Sequence, residues 1–346
     1  MGALDPARLR EERRLVGLDT RIRRAIEGLP GALRRSRRWL AGKYREIPLR
    51  AAWLRRRFDG ASATGVKPEN IVWIFGSGRS GSTWLRSMMG DPSRHLVWEE
   101  PMVGQLFGNF HRRAQTANLV RPDFVMADAT RRGWIHSIRN FVLDGAGYAR
   151  PRLGPDHYLI IKEPNGSVGA PLLMEALPES RMILLIRDPR DVVSSTLDGA
   201  RKGNWLYERK DKGGWKRDSL PDENPDVFTR RWANVYMQHA GNAKLAYDAH
   251  RGPKVMIRYE DLRADTLGTM RRIYSTLGIP VDERELARAV EKHSWENIPE
   301  KKKGGGKFYR KATPGGWQDD LTPRQIKQVE RITAPLLEEY YSGEAP

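Results

Sequence analysis

The sequence predicts an α/β fold in which helices flank a central parallel β-sheet. Short apolar runs bounded by turn residues have the length of buried strands, and segments with helical periodicity follow them. The strand-like runs are 70–75, 157–161, 181–186 and 254–258, and the helix-like segments are 82–89, 170–176, 189–197 and 265–277. Because strands and helices alternate along the chain, we expect a parallel sheet with helices on both faces.

The composition is compatible with a folded enzyme and limits its chemistry. The 346 residues are 39% hydrophobic, which is enough apolar material for a core. The chain has no cysteine, which excludes disulfides, zinc thiolate sites and cysteine nucleophiles. No stretch approaches the roughly 20 apolar residues that span a bilayer, and charged residues follow soon after Met1. We therefore expect a cytoplasmic protein.

Much of the net charge of +18 lies near the N-terminus. Residues 1–58 contain 17 Lys and Arg against 6 Asp and Glu, and large apolar side chains are interleaved with the arginines. We predict a basic amphipathic helical arm at 1–58, a linker at 59–68 and a catalytic domain at 69–346. The arm suits an anionic membrane surface, to which the protein would then be peripheral. Alternatively, it packs on the catalytic domain or on a second subunit of a homo-oligomer.

A glycine-rich loop follows the first predicted strand. Ile71-Val-Trp-Ile-Phe75 runs into Gly76-Ser-Gly-Arg-Ser-Gly-Ser-Thr83, where a predicted helix begins. Glycines let the backbone curl with its N–H groups inward, and the N-terminus of a helix favours negative charge. This strand, turn and helix predict a phosphate-binding loop, although a glycine turn without a ligand has the same local pattern.

The loop differs from that of nucleoside triphosphatases, which reads G-x-x-x-x-G-K-[ST]. Gly76 and Gly81 have that spacing, but Ser82 stands in place of the lysine, and the cation is Arg79 inside the loop. A nucleotide kinase or triphosphatase is therefore a weaker hypothesis. A third hypothesis is that the basic arm makes the protein a binder of nucleic acid or of an anionic surface. The sequence contains no recognised nucleic-acid motif, so we expect no specific nucleic-acid partner.

The segment Arg79-Ser-Gly-Ser-Thr-Trp84 resembles the 5′-phosphosulfate loop of sulfotransferases that use 3′-phosphoadenosine 5′-phosphosulfate (PAPS). The resemblance implies a P-loop type of sulfotransferase fold, PAPS as the cofactor, 3′-phosphoadenosine 5′-phosphate (PAP) as its product, and no required metal. The cofactor-binding residues that it implies in this loop are Gly78, Arg79, Ser80, Gly81, Ser82, Thr83 and Trp84.

A second motif, Arg187-Asp-Pro-Arg-Asp-Val-Val-Ser-Ser195, begins 108 residues after the loop arginine. Asp188 and Pro189 suit the N-cap and the first turn of a helix, which places Ser195 about two turns into that helix. The motif resembles the 3′-phosphate site of the same family, which implies that Arg187 and Ser195 bind that phosphate. A structural ion pair between Arg187 and Asp191 is the alternative.

The resemblance covers most of the chain after the arm. The segment that ends at Trp295 resembles one that supplies an aromatic contact to adenine, which implies that role for Trp295. A later loop resembles one that helps to hold the 3′-phosphate, which implies the same role for Arg310 and Lys311. This loop departs from the family pattern at two positions, with Ala312 in place of a glycine and Gly316 in place of an aspartate.

Sulfuryl transfer needs a base for the acceptor and positive charge for the leaving phosphate. Many cytosolic members use a histidine that follows a Lys-Thr pair, but this chain has Lys162-Glu-Pro-Asn and no histidine there. Its Trp-Glu-Glu100-Pro segment resembles the tyrosylprotein sulfotransferases and several carbohydrate and bacterial members, in which a glutamate is the base. The resemblance implies Glu100 as the base, with Glu99 in reserve, and Arg79 and Lys162 as the catalytic cations.

The glutamates also have structural alternatives. Glu99 or Glu100 could cap a helix that starts at Pro101, because a carboxylate is favourable near a helix N-terminus. Glu163, next to the catalytic lysine, could form a local ion pair.

The predicted acceptor is a glycan, a lipid or another small molecule, and the sequence does not choose among them. Aromatic side chains are expected to shape its pocket: Phe107, Phe110, Trp134, Phe141, Tyr148, Trp205, Tyr207 and Trp215. Aromatic rings stack on sugars and equally line lipid or phenol sites, and the alternative is that half of these rings belong to the core.

Overall fold

The computed structural model describes residues 67–116, 124–210 and 220–342. The predicted basic arm and most of the predicted linker lie outside the described residues, so the domain boundaries stay predictions. Apart from residues 147–152, the described residues belong to one compact unit.

A five-stranded parallel sheet forms the centre of this unit, as the sequence predicted. Its strands are β1 (Ile71–Gly76), β2 (His95–Glu99), β3 (Tyr158–Lys162), β4 (Arg181–Ile186) and β5 (Lys254–Arg258). The spatial order is β2-β3-β1-β4-β5, which places β1 in the middle. Four of the strands coincide with the predicted runs to within one residue at each end.

The sheet is covered on both faces, which explains why its central strands are continuous apolar runs. On β1, Ile71, Trp73 and Phe75 face one layer of core residues, while Val72 and Ile74 face the other. All five side chains are fully buried. The sequence therefore identifies these strands by their uninterrupted apolar character and not by alternation.

The described residues form twelve α-helices around the sheet. They are α1 (Ser82–Met89), α2 (Val103–Thr116), α3 (Arg131–Ala149), α4 (Ala170–Ala176), α5 (Pro189–Ala200), α6 (Trp205–Lys210), α7 (Pro225–Ala249), α8 (Tyr259–Ala264), α9 (Thr266–Leu277), α10 (Glu283–Lys292), α11 (Trp317–Asp320) and α12 (Pro323–Tyr341). Helices α2, α3, α4, α7 and α12 contribute to one core layer, and α1, α8, α9 and α10 contribute to the other. None of the helices in the described ranges is long and apolar enough to cross a membrane.

The four predicted helices are confirmed as α1, α4, α5 and α9, with α5 three residues longer than expected. The predicted N-cap is also confirmed, because the Asp188 carboxylate accepts a hydrogen bond from the Arg190 N–H and Pro189 is the first residue of α5. A local motif in the sequence thus fixes where this helix begins.

The region between β1 and β3 differs most from the predictions. Strand β2 was not predicted, because it lies at the sheet edge and only His95 is buried, so it lacks an apolar run. The helix that was expected to start at Pro101 begins instead at Val103. Glu100 and Met102 have φ values of 44° and 65°, so the chain leaves β2 through a non-helical turn.

Candidate active site

The predicted site residues meet at the carboxyl edge of the parallel sheet, where ligands bind in open α/β folds. A cavity of about 960 Å³ lies there. The predicted catalytic and cofactor residues that line it are Gly78, Arg79, Gly81, Ser82, Thr83, Trp84, Glu100, Lys162, Arg187, Ser195, Trp295, Arg310 and Lys311. The remaining predicted residue, Ser80, is fully buried, and its hydroxyl donates to the Ser77 carbonyl at 2.7 Å, so it supports the loop from behind.

The glycine-rich loop connects β1 to α1 and requires glycine at two positions. A Cβ atom on Gly76 would lie 2.2 Å from the Leu185 carbonyl oxygen of the neighbouring strand. Gly81 has a φ of 90°, and a Cβ atom there would lie 2.5 Å from the Tyr259 ring. The loop therefore lies directly against β4 and α8, and the N-terminus of α1 lines the cavity, where the first N–H groups of a helix have no intrahelical partner.

The side chain of Arg79 crosses from this loop toward α5. Its Nε donates to the Ser195 hydroxyl at 3.1 Å, and one terminal nitrogen donates to the Phe308 carbonyl at 2.9 Å. Its guanidinium carbon also lies 4.9 Å from the ring centres of both Trp205 and Phe308. The structure thus places Arg79 beside Ser195, the serine that the sequence analysis assigned to the 3′-phosphate. The sequence alone could not reveal this contact.

Positive charge is concentrated around Arg79. Burial, together with the nearby charges of Arg187 and Arg310, lowers the pKa of the Arg79 guanidinium to about 10. A site that depresses the pKa of an arginine is one where an added cation is unfavourable. For the same electrostatic reason, a polyanion is favoured there.

Arg187 is held at the end of β4 by contacts on several sides. It donates to the Arg79 carbonyl at 3.0 Å, stacks 4.2 Å from the centre of the Tyr259 ring and lies 3.6 Å from the Asp191 carboxylate. The alternative ion pair with Asp191 is therefore present, but it leaves the Arg187 Nε buried without a hydrogen-bond partner among the described residues. An unsatisfied buried donor is costly, and an anionic ligand is one way to satisfy it.

The loop of Arg310 is fixed by acidic residues that the sequence analysis did not select. Arg310 contacts Asp320 at 2.6 Å, Asp198 at 3.4 Å and the Ser194 hydroxyl at 2.8 Å, and Lys311 contacts Asp320 at 3.0 Å. No local sequence signal links Asp198 and Asp320 to this loop, because they come from α5 and α11.

Ala312 in the same loop explains one departure from the family pattern. Its φ is 55°, in the left-handed region that glycine enters without a steric penalty. The loop therefore keeps the backbone shape that a glycine would give, at a cost of about 1 kcal/mol.

Two tryptophans form another wall of the cavity. The Trp84 indole donates to the His293 carbonyl at 2.8 Å, which ties α1 to the segment after α10. Trp295 follows in that segment, and the Lys303 ammonium lies 5.1 Å from its ring centre. The structure places Trp295 in the same cavity as the phosphate loop, as the resemblance implied.

Lys162 lies at the end of β3 and joins both candidate bases. Its buried ammonium is 2.8 Å from the Glu100 carboxylate and 3.2 Å from that of Glu99, and it also donates to the Thr83 hydroxyl at 3.2 Å. Glu99 and Lys162 are neighbours in the parallel register of β2 and β3. Strand pairing therefore brings together residues that are 63 positions apart.

The two glutamates differ in how many cations hold them. The carboxylate of Glu99 also contacts Arg86 at 2.8 Å. Desolvation raises the pKa of Glu99, but the charges of Lys162 and Arg86 outweigh this effect and keep the pKa below its usual range. Glu100 shares Lys162 and is the more buried of the two, with 23% of its side chain exposed against 46% for Glu99.

The carboxyl group of Glu163 is buried and does not form the local ion pair that was considered for it within the described residues. Its side chain is fully buried, and one oxygen accepts the Gly104 N–H at 2.9 Å near the start of α2. No ion pair of Glu163 occurs within the described ranges, and its second oxygen has no hydrogen-bond partner there. Burial raises the pKa of Glu163 to about 7, despite the Gly104 N–H, and the negative charge of Glu100 adds to the increase.

Most of the aromatic residues predicted to shape the acceptor pocket lie elsewhere. Trp134 is in the core, Phe107 packs against it, and Phe110 and Phe141 are half exposed at the surface. Trp205 does line the cavity, while Trp215 lies outside the described residues. The alternative was that half of these rings belong to the core. Of the predicted rings in the described residues, Trp205 is the one that lines the cavity.

Another part of the cavity wall comes from one face of α2 and one face of α7. We call this wall the neutral end, and its residues are Gln105, Asn109, Trp232, Val235, Gln238 and His239. An Asn-Pro pair at 224 and 225 marks the start of α7, and Asn224 caps it, so a capping signal could have located the helix. That signal would not have shown which face meets the cavity.

The described residues contain no group of three or more His, Asp or Glu side chains that could hold a metal ion.

The fold and the site together define a class of protein: a parallel α/β protein with a glycine-rich loop after its central strand and cations at the neighbouring strand ends. A family model described as the sulfotransferase family matches residues 72–283. The chain belongs to this sulfotransferase family.

Curated relatives are about one quarter identical to the chain over the residues that align. Cytosolic sulfotransferase 17 of Arabidopsis thaliana is 24% identical over 196 residues, which cover 49% of this chain and 53% of the relative. Carbohydrate sulfotransferase 2 of Homo sapiens is 26% identical over 187 residues, which cover 48% of this chain and 35% of the relative. The chain thus spans about half, or less, of the length of these relatives.

Solved structures share the fold at lower identity. Mouse sulfotransferase SULT7A1, crystallised in complex with PAP, has a TM-score of 0.50 and 14% identity, covering 80% of this chain and 87% of the mouse chain. Sulfotransferase STF9 from Mycobacterium avium has a TM-score of 0.51 and 15% identity, covering 80% of this chain and 78% of the bacterial one. Both support the α/β fold.

Proposed function

We propose that the protein transfers a sulfuryl group from PAPS to a hydroxyl or amine acceptor, with Glu100 as the general base. One observation carries this proposal: the anion-binding loop, the cluster of Arg79, Arg187 and Arg310, and the Lys162–Glu100 pair all line one cavity. The first two suit a polyanionic nucleotide, and the third suits proton removal beside a positive charge.

The residues present fit PAPS. The cavity of about 960 Å³ has room for a nucleotide and part of an acceptor. The buried Nε of Arg187 lacks a hydrogen-bond partner in the described part of the chain, and the pKa of Arg79 is depressed by burial and by the neighbouring arginines. Both features are relieved by a bound anion. The complex of mouse SULT7A1 with PAP agrees with a nucleotide of this kind.

Each part of the nucleotide has candidate partners. We assign the 5′-phosphosulfate to the loop from Gly78 to Trp84. We assign the 3′-phosphate to Arg187, Ser195, Arg310 and Lys311, which would supply charge-assisted hydrogen bonds. Trp295 is proposed to contact the adenine.

Glu100 is favoured over Glu99 as the base on its surroundings. Glu99 is held by Lys162 and Arg86, which stabilise its charge and weaken it as a proton acceptor. Both carboxylates line the cavity, but among the described residues Glu100 forms an ion pair with Lys162 alone and is the more buried of the two. When bound, PAPS supplies a sulfuryl group whose bond to the phosphate oxygen breaks as its bond to the acceptor atom forms. Glu100 accepts the proton that the acceptor loses.

Lys162 and Arg79 are proposed to stabilise negative charge. The Lys162 ammonium is buried beside Thr83 of the phosphate loop, where a preorganised cation has its largest effect. Arg79 adds charge from within that loop, where its side chain is fixed by Ser195 and the Phe308 carbonyl.

The basic arm before the catalytic domain is proposed to have a role separate from the chemistry. We propose that the arm at 1–58 serves location, at an anionic membrane surface, or assembly into a homo-oligomer, because 17 of its residues are basic and no residue in it matches the proposed site. The catalytic domain would then begin near residue 69.

A thermal-shift comparison tests the proposed function. PAP should raise the melting temperature of the protein, because a ligand that binds only the folded state stabilises it. ATP with magnesium should raise it much less at equal concentration, because ATP lacks the 3′-phosphate that Arg187 and Ser195 are proposed to hold. A larger shift with ATP and magnesium would contradict the proposal and favour a kinase or triphosphatase.

A further inference from the structure

The neutral end of the cavity differs in chemistry from the rest of its wall. Gln105 and Asn109 are four residues apart on α2, so they share one helical face, and Trp232, Val235 and His239 share a face of α7. These faces present amides, an imidazole, an indole and aliphatic groups. The ionised residues of the cavity wall come from the loops, the strand ends, α5 and α8, and neither of these two helical faces adds one.

An arginine outside the cavity wall fixes the orientation of one amide. Hydrogen bonding assigns the Gln238 amide the orientation in which its oxygen accepts from both terminal nitrogens of Arg112 of α2, at 2.6 and 3.1 Å. In this orientation the Gln238 NH₂ group points away from Arg112, and it can only donate. The same contact ties α2 to α7.

His239 contributes a neutral imidazole beside this amide. Burial, and to a lesser extent the charge of Arg112, lowers the pKa of His239 to about 4, so the ring is uncharged at neutral pH. Its Nδ1 is buried and has no hydrogen-bond partner among the described residues. A neutral imidazole both donates and accepts, which matches a hydroxyl group.

We propose that the acceptor is an uncharged sugar bound between α2 and α7, with Gln238 and His239 as residues that determine specificity. A sugar ring offers several hydroxyls to planar polar side chains and an apolar face to an aromatic ring such as that of Trp232. A carboxylate or an ammonium group on the acceptor would lose its hydration against these side chains, none of which is ionised. This inference rests on the proposed sulfuryl transfer.

The test uses the full chain, PAPS and three matched probes. These are 4-nitrophenyl β-glucoside, which is neutral, the corresponding glucuronide, which is anionic, and the corresponding 2-amino-2-deoxyglucoside, which is cationic. Initial rates of PAP formation give kcat/KM for each, and calorimetry gives the affinity for PAP. We expect kcat/KM for the glucoside to exceed both others about tenfold or more, the factor that one unsatisfied polar group costs.

Substitutions connect the preference to the proposed residues. Gln238→Leu and His239→Leu should each raise KM for the glucoside about tenfold and leave PAP affinity unchanged. Leu245→Ala on the exposed side of α7 is the matched control and should change neither value.

Three results overturn the inference while leaving the proposed function intact, provided that PAP still binds. They are a preference for either charged probe, no turnover of the glucoside, and unchanged KM in both substituted proteins. Failure to bind PAP would instead overturn the proposed function itself.

Discussion

The cavity has two ends built on different principles. At one end, Arg79, Arg187 and Arg310 gather within a network of carboxylates and backbone groups, and the loop after β1 offers backbone donors. At the neutral end, the helical faces of α2 and α7 contribute uncharged side chains. Lys162 and Glu100 belong to the strand ends and complete the wall of the same cavity.

The two ends of the cavity are built from different elements of the fold. The charged end uses strand termini and the loops that follow them, so its geometry is fixed by the sheet register. The neutral end uses side chains on helices, whose identity can change without altering the backbone. A family can therefore retain its nucleotide site while its acceptor site varies.

The largest expected effect concerns Glu100. Glu100→Gln keeps the shape but removes the basicity, so kcat with a working acceptor should fall by about 10² to 10⁴, while PAP affinity persists. Glu99→Gln is the matched control and should have a smaller effect. Normal turnover in Glu100→Gln with collapse in Glu99→Gln would move the base to Glu99, and normal turnover in both would exclude a carboxylate base.

The next effect concerns the buried carboxyl of Glu163, next to Lys162. Its pKa of about 7 in the folded state lies above the ordinary 4.5, so the folded protein binds this proton more tightly than the unfolded chain does. Stability should therefore fall as the pH rises from 4.5 to 7, by up to roughly 3 kcal/mol.

Urea unfolding at pH 5 and pH 8 measures this effect. Glu163→Gln should remove that loss, because the amide oxygen still accepts from Gly104 and no proton is bound. Glu179→Gln removes a surface carboxylate whose pKa is lowered by Arg139, so it should not flatten the pH dependence. Equal pH dependence in Glu163→Gln and the wild-type chain would contradict the assigned burial effect.

A smaller effect is expected at the charged end. Arg187→Ala should weaken PAP binding by about 1.5 to 3 kcal/mol, because it removes a charge-assisted hydrogen bond to phosphate. Arg139→Ala, which removes an arginine paired with Glu179 at the surface, is the control and should leave binding unchanged. Calorimetry measures both. Unchanged affinity in Arg187→Ala would remove this residue from the 3′-phosphate site and weaken the contrast between the two ends.

The smallest effect is expected from removing the predicted arm. A chain that begins at Lys67 should bind PAP as the full chain does, because no residue of the arm matches the proposed cofactor site. Calorimetry on the two proteins compares the affinities, after circular dichroism has shown that the shortened chain folds. A folded chain that fails to bind would show that the domain boundary is wrong.

Much of the fold could be predicted because its signals are local. The apolar runs of β1, β3, β4 and β5, the glycines of the loop and the Asp-Pro cap of α5 each lie within a few adjacent residues. Strand β2 lacks such a signal, because an edge strand with one buried residue resembles a loop in composition. The turn at Glu100 was also missed, since positive φ at a glutamate has no sequence signature.

By itself, the sequence determined four of the five strands, helices α1, α4, α5 and α9, the glycine-rich loop and the residue types that could act beside it. These depend on backbone preferences and side-chain periodicity, which act over short distances. Only the tertiary structure decided that Arg79 meets Ser195, that Lys162 joins Glu99 with Glu100, and that one face of α7 lines the cavity. Those partners are far apart in the chain, so sheet register and helix packing bring them together.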